Sequence, residues 1–153
     1  MISYKKDNKK YNYRAGIILI NDKNEVLVQN KKKYDFWILP GGRIEFLETS
    51  EQTIEREMKE ELNLTIQSKR VVLVAEIVNK KESYHENLIF YLAYLNKSNI
   101  MNNNELRCLD DNELKFKWVN IEKLDTINLY PKFLKEVILD IPKEIQYKRI
   151  IVD

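Results

Sequence analysis

The chain has 153 residues, 44% of them hydrophobic and 33% charged, with a net charge of +2 at pH 7. Length and composition suit one soluble domain, residues 1–153, large enough to bury a core. A charge so near balance gives no reason to expect a nucleic-acid polymer or a membrane surface as partner.

Cys108 is the only cysteine, so neither an internal disulfide nor a cysteine-based zinc site can form within the chain. A lone thiol suits a reducing compartment. The opening "MISYKKDNKK" has no apolar stretch of the signal-peptide kind, and no apolar run is long enough to span a bilayer. The expected location is the cytoplasm. Lys5, Lys6, Lys9 and Lys10 read as solvated surface. So do Lys31, Lys32 and Lys33, although this second run could also meet phosphate.

The first apolar segment, "YNYRAGIILIN" (11–21), is rich in β-branched residues and is expected to be a strand. "DKN" supplies turn chemistry, and "EVLVQN" (25–30) returns as the hairpin partner. A basic loop leads to "FWILPGGRIE" (36–45). The chain has three glycines, and two of them are adjacent here as Gly41 and Gly42. Such spending points to a turn with φ > 0, or to something approaching the backbone closely. A helix follows, with Thr49 or Ser50 as cap and Gln52 or Thr53 in its first turn. Ile54, Met58 and Leu62 recur every four residues as its buried stripe, and Asn63 can end it in the left-handed conformation.

Segments 64–79 and 84–96 read as two long strands joined by the polar "KKES". The Asn-rich "NKSNIMNNNE" (96–105) reads as a loop. "ELKFKWVN" (113–120) alternates as a strand, "IEKL" is a turn of helix, and "PKFLKEVIL" (131–139) is a helix with Pro131 in its first position. Strands, helix, strands, helix in that order suggest an α+β chain, with a mixed sheet sandwiched between helices.

The central helix carries "EREMKEEL" (55–62). On a wheel of about 100° per residue with Ile54 at zero, Met58 lies near ~40° and Leu62 near ~80°. Glu61 falls near about −20°, Glu57 near about −60° and Glu60 near about −120°. Two carboxylates thus border or enter the buried stripe. Carboxylates so placed need cations or hydrogen bonds, and three in one turn repel each other. A hard divalent cation, Mg²⁺ or Mn²⁺, would answer both needs. The plainer reading is a salt-bridged surface helix, since Arg56 and Glu60 are an i,i+4 pair with Lys59 alongside.

From Gly42 the sequence runs Gly, five residues, Glu48, seven residues, then Arg56-Glu57-Met58-Lys59-Glu60-Glu61-Leu62-Asn63-Leu64. This stretch resembles the Nudix box, G-x5-E-x7-R-E-U-x-E-E-x-G-U, where U is apolar. One position departs, Asn63, where the family has Gly. "WILPGG" before the box also resembles the family. The resemblance implies a Nudix hydrolase of MutT-like type, with an αβα sandwich around a mixed sheet. It implies cleavage of a diphosphate linked to another moiety, with Mg²⁺ or Mn²⁺ as cofactor. Carried over by position, Glu57, Glu60 and Glu61 would hold metal together with the Gly41 carbonyl. Glu48 and Arg56 would pair to orient the helix, and Glu57 or Glu61 would serve as general base. Gly42 would let phosphates approach the backbone.

Outside the box, Arg14 on the first strand is a candidate for phosphate or for a surface acid. Tyr34, Phe36 and Trp37 could stack on a base, although core packing suits Trp37 better. His85 and Glu86 project to opposite faces of their strand, so one of them is expected to face the cleft. Glu86 and Glu113 are candidates for further carboxylates beside the metal. The expected substrate is a small nucleotide, above all a nucleoside triphosphate, oxidised purines included, cleaved to monophosphate and pyrophosphate. ADP-ribose, nucleotide sugars, dinucleoside polyphosphates and RNA 5′ ends stay open, as do a homodimer and a non-catalytic nucleotide-sensing module.

Overall fold

The computed structural model describes residues 1–67, 69–95, 105–107 and 113–153. They form nine strands in one mixed sheet: β1 (Ser3–Lys6), β2 (Lys9–Asn21), β3 (Glu25–Lys31), β4 (Gly41–Arg43), β5 (Arg70–Asn79), β6 (Tyr84–Leu95), β7 (Glu105–Arg107), β8 (Leu114–Asn120) and β9 (Gln146–Val152). Helix α1 spans Ser50–Leu62 and α2 spans Leu134–Leu139, with a 3-10 turn at Ile121–Thr126. The Asn-rich stretch lies outside the described residues except for Glu105, which opens β7, and Cys108 lies outside them too.

Along the sheet the order is β7-β8-β3-β2-β6-β5-β9, with β1 and β4 attached to β2. Alternation along the strands sorts side chains into two cores. Ile18, Ile20, Val26, Val28, Leu88 and Phe90 pack with Leu134, Val137 and Ile138 of α2. Ala15, Ile17, Leu19, Leu27 and Tyr91 pack with Ile54 and Met58 of α1 on the other face. The result is the sandwich that the element order suggested.

The predicted hairpin of β2 and β3 is present but barely paired, with one Cα register pair, Ile20 with Val26. Beyond it the two strands splay. The stretch after β3 fills the opening: Ile38 bridges to Gln29, and β4 runs antiparallel to β2, with Gly41 opposite Gly16 and Gly42 opposite Ala15. The two glycines therefore sit in a short strand against α1, not in a free turn. β2 then pairs in parallel with β6 over twelve residues.

Several boundaries differ from expectation. Strand β5 begins at Arg70, not near Leu64, because Leu64 and Ile66 fold back into the α1 core. Helix α2 begins at Leu134, so Pro131 precedes it instead of opening it. Strands β1 and β9 were not foreseen. Of the helix stripe, Ile54 and Met58 are fully buried, Leu62 is half-buried, and Thr53 takes its place in the buried arc.

Thr49 proves to be the cap of α1. Its hydroxyl accepts from the Gln52 N–H at 3.2 Å, and the Gln52 side chain accepts from the Thr49 N–H at 2.8 Å. At the exit, Asn63 has φ 54°, ψ 32°, and the N–H groups of Asn63 and Leu64 donate to Lys59 and Met58 carbonyls. That is the left-handed helix stop, reached with Asn where Gly is less strained. Asn63→Gly is expected to be neutral or to stabilise by less than about 1 kcal/mol, and Asn63→Ala to destabilise by about 1 kcal/mol. Urea melts of the two variants would show it, and a clear loss with Gly would contradict the conformational account.

Candidate active site

Where β2 and β3 splay, a cleft of about 930 Å³ opens. Glu57, Glu60 and Glu61 of α1 line it, with Gly41, Gly42, Arg14, Phe36 and Glu86. Of the residues expected at a site, Trp37 and Glu113 are not brought there. The Trp37 ring packs against the α2-side core under Lys117, whose Nζ stands 4.2 Å from the ring centroid. Glu113 is exposed at the foot of β8, and its carbonyl accepts from the Lys32 N–H. His85 is also outside the cleft, 3.7 Å from Glu76 and edge-on to Tyr11. Its neighbour Glu86 is the one that faces in.

Arg56 organises the acidic wall. Its Nε donates to Glu48 Oε1 at 2.8 Å and its Nη2 to Glu48 Oε2 at 3.1 Å, a two-pronged pair. Nη1 donates to Glu57 at 2.9 Å and to Glu60 at 3.3 Å, and Nη2 reaches the Arg43 carbonyl at 3.3 Å. Glu48 also accepts from the Thr53 hydroxyl at 2.7 Å and the Glu45 N–H at 3.0 Å. With Arg56 first among the causes, the Glu48 carboxyl is lowered to about 2. The i,i+4 pair of Arg56 and Glu60 on which the plainer salt-bridge reading rested is present, and Glu51 and Glu55 both pair with Lys69.

Glu57 behaves differently. Burial pushes its carboxyl up, and Arg56 only partly opposes this. Its Oε1 would lie 2.0 Å from a Cβ at position 42, so only glycine leaves room for it. Gly41 has φ 149°, and a Cβ there would strike the Ala15 carbonyl. The scarce glycines thus serve both needs read from the sequence, a left-handed φ at Gly41 and close approach at Gly42.

The donor set suits a hard cation in kind: three carboxylates on one helix and a strand carbonyl. In placement it is incomplete. Among the described residues no three acidic, His or Cys side chains are gathered closely enough to hold a metal as they stand. The Arg56 Nη1 already draws Glu57 and Glu60 to one point, and Glu60, half-exposed, has room to turn inward.

The sequence reading assigned no role to Asn12, Gln29, Tyr84 or Tyr130, which also line the cleft. Asn12 and Gln29 are buried at 5% and 4% exposure. For Gln29 the available signal was a polar side chain following an apolar run; Asn12, between Lys10 and Arg14, offered none.

No helix among the described residues is long and apolar enough to cross a membrane. A family model described as the NUDIX domain matches residues 10–140. Over 61 residues, 40% of this chain, the sequence is 38% identical to an RNA pyrophosphohydrolase of Ruthia magnifica subsp. Calyptogena magnifica, and the match spans 34% of that relative. Over 90 residues it is 32% identical to an 8-oxo-dGTP diphosphatase of Proteus vulgaris, covering 57% of this chain and 79% of that one. The crystal structure of a MutT protein from Bacillus halodurans superposes with a TM-score of 0.72 at 18% identity, covering 92% of this chain and 89% of that chain.

Glu48 gives a pH signature. A depressed carboxyl contributes stability that is present above its ordinary pKa of 4.5 and is lost as the pH falls through about 2. Glu48→Gln is expected to lower stability at pH 7 by about 1–2 kcal/mol and to flatten the acid-side loss between those values. Denaturant melts across that range would check both, and an unchanged acid limb would deny Glu48 the role.

Proposed function

The chain belongs to the Nudix family, and from that premise we propose that it is a metal-dependent pyrophosphohydrolase working as a single domain on a nucleoside 5′-triphosphate. The products are the monophosphate and pyrophosphate. The observation that carries this reading is Glu57: a partly buried carboxylate of raised pKa, seated against Gly42 and tethered by Arg56. The two curated relatives add support, since both act, by name, on compounds with a phosphoanhydride chain.

In this reading Glu57, Glu60, Glu61 and the Gly41 carbonyl would hold Mg²⁺ or Mn²⁺. When bound, the ion neutralises phosphate charge and lowers the pKa of water near it. The remaining work falls to the chain itself. Arg56 fixes the carboxylates, so little reorganisation is needed on substrate entry. Lys10, Lys31 and Arg43 line the same cleft and offer positive charge to the phosphate chain. Water adds to one phosphorus, one P–O–P bond breaks, and the water's proton passes to a carboxylate. Glu57 suits that role because burial raises its affinity for a proton, with Glu61 as the alternative base. Phe36 stacks on Tyr34 at a centroid distance of 5.0 Å and meets Tyr130 at a tilt at 5.7 Å, which gives the cleft an aromatic wall for a base.

The test is a panel of nucleoside triphosphates, ADP-ribose, nucleotide sugars, dinucleoside polyphosphates and 5′-triphosphorylated RNA, scored by phosphate release after a coupling phosphatase. Turnover is expected to need Mg²⁺ or Mn²⁺, to cease with chelator, and to favour triphosphates. Binding without turnover of any compound would turn the reading toward a nucleotide-sensing module.

Glu57→Gln separates catalysis from stability. Turnover is expected to fall roughly 10²-fold or more. A carboxyl with raised pKa contributes stability below its unfolded pKa and loses it as pH rises through the folded one, so at pH 7 its charge is a burden on the apo fold. Apo stability should therefore hold or rise. Unchanged turnover on a confirmed substrate would remove Glu57 from the mechanism and leave Glu61 as base.

A further inference from the structure

Opposite the acidic helix, the cleft has a second polar wall. Asn12 and Arg14 lie on β2 in alternation with Ile18 and Ile20, and Glu86 on β6 alternates with Leu88 and Phe90. All three therefore project from the α2 face of the sheet. The parallel register sets Asn12 directly beside Glu86.

Hydrogen-bond accounting shows what this wall lacks. Asn12 Nδ2 donates to the Tyr84 hydroxyl at 3.2 Å. That bond orients the Asn12 amide and leaves its Oδ1 facing away from Tyr84. Among the described residues, Asn12 Oδ1, Glu86 Oε1 and Arg14 Nε are buried with no hydrogen-bond partner. Arg14 Nε stands 3.8 Å from Glu86 Oε1, close enough for charge attraction but too far for a hydrogen bond. Asn12 and Glu86 are 5% and 7% exposed, and unmet polar atoms at that depth are costly.

Two unmet acceptors beside one unmet donor define a complement. A phosphate is the wrong partner, because it brings only acceptors to the Glu86 carboxylate, and Glu86 already offsets the Arg14 charge. We propose that Asn12, Arg14 and Glu86 form a subsite for a neutral group bearing two adjacent hydrogen-bond donors next to an acceptor. Two parts of a nucleotide have that chemistry. One is the amino-lactam edge of a guanine-type base, which the neighbouring Phe36 and Tyr130 rings would stack. The other is a ribose cis-diol, whose hydroxyls donate to carboxylate and amide while accepting from Arg14. The subsite sets which nucleotide enters and takes no part in bond cleavage. It rests on the reading of the cleft as a nucleotide site.

The experiment is isothermal titration of the full chain with GMP, IMP, dGMP and AMP, which carry no phosphoanhydride to cleave. IMP removes only the amino donor of GMP, and dGMP only the 2′-hydroxyl. GMP is expected to bind at least about tenfold more tightly than IMP if the base edge is held, or than dGMP if the diol is held. AMP should follow IMP in the first case and GMP in the second. Glu86→Gln, which keeps shape and removes the charge, should shrink the preference to within about threefold, and Asn12→Ala should do the same. Thermal melts verify that each variant folds, and either one alone carries the test if the other does not. Equal affinity for GMP, IMP and dGMP would overturn the subsite, as would a preference that survives in the folded variants. No binding of any monophosphate, with triphosphates still hydrolysed, would overturn the subsite and spare the hydrolase. Selective binding without any hydrolysis would do the reverse.

Discussion

One guanidinium holds the acidic wall of the cleft together. Arg56 bonds Glu48 before the helix, Glu57 and Glu60 within it, and the carbonyl of Arg43 at the end of β4. These partners come from three consecutive pieces of chain. Without the cation, the carboxylates of Glu48, Glu57 and Glu60 would stand on one helix and its lead-in with no common partner, and their repulsion would loosen the approach of α1 to β4. Arginine suits this position better than lysine would, since its planar fork serves several acceptors at fixed angles.

The second constraint is steric. Glu57 occupies space that a side chain at position 42 would need, and the β4 strand at Gly41 occupies space against Ala15. The carboxylate therefore lies on bare backbone, partly desolvated, which is why its proton affinity rises while that of Glu48, earlier in the chain and bonded on both oxygens, falls. Two glutamates on the same arginine thus have opposite acidities, set by what surrounds each of them.

Legibility in the sequence followed the range of the interactions. The box residues could be read because Gly42, Glu48, Arg56 and the three glutamates act over one helix and its lead-in, so their spacing reports their geometry. The cap at Thr49 and the stop at Asn63 were local in the same sense. Asn12, Tyr84 and Glu86 become neighbours only through the parallel register of β2 and β6, which no local pattern encodes. Strand β9 was missed because its alternating exposure carries lysine, arginine and tyrosine, and its partner β5 is some seventy residues away in the chain. Strand β1 was hidden by the lysines that made it look like plain solvated surface. Trp37 went to the core because the stretch before Gly41 crosses from β3 to β2, and its alternate residues take opposite sides.

The splaying of β2 from β3 has a mechanical meaning as well. Strands β7, β8 and β3 form one flank of the sheet and β2, β6, β5 and β9 the other, with sparse backbone pairing between them. The sheet thus has a seam, and the cleft lies along it. Opening of a fold runs along its weakest line, and whatever binds only the closed form suppresses that opening. A nucleotide lodged between Gln29 on one flank and Asn12 on the other would act as a rivet. The amides of β3 and β4 are where slowed hydrogen exchange would register it, and unchanged exchange there on ligand binding would mean that the flanks are joined well enough without one.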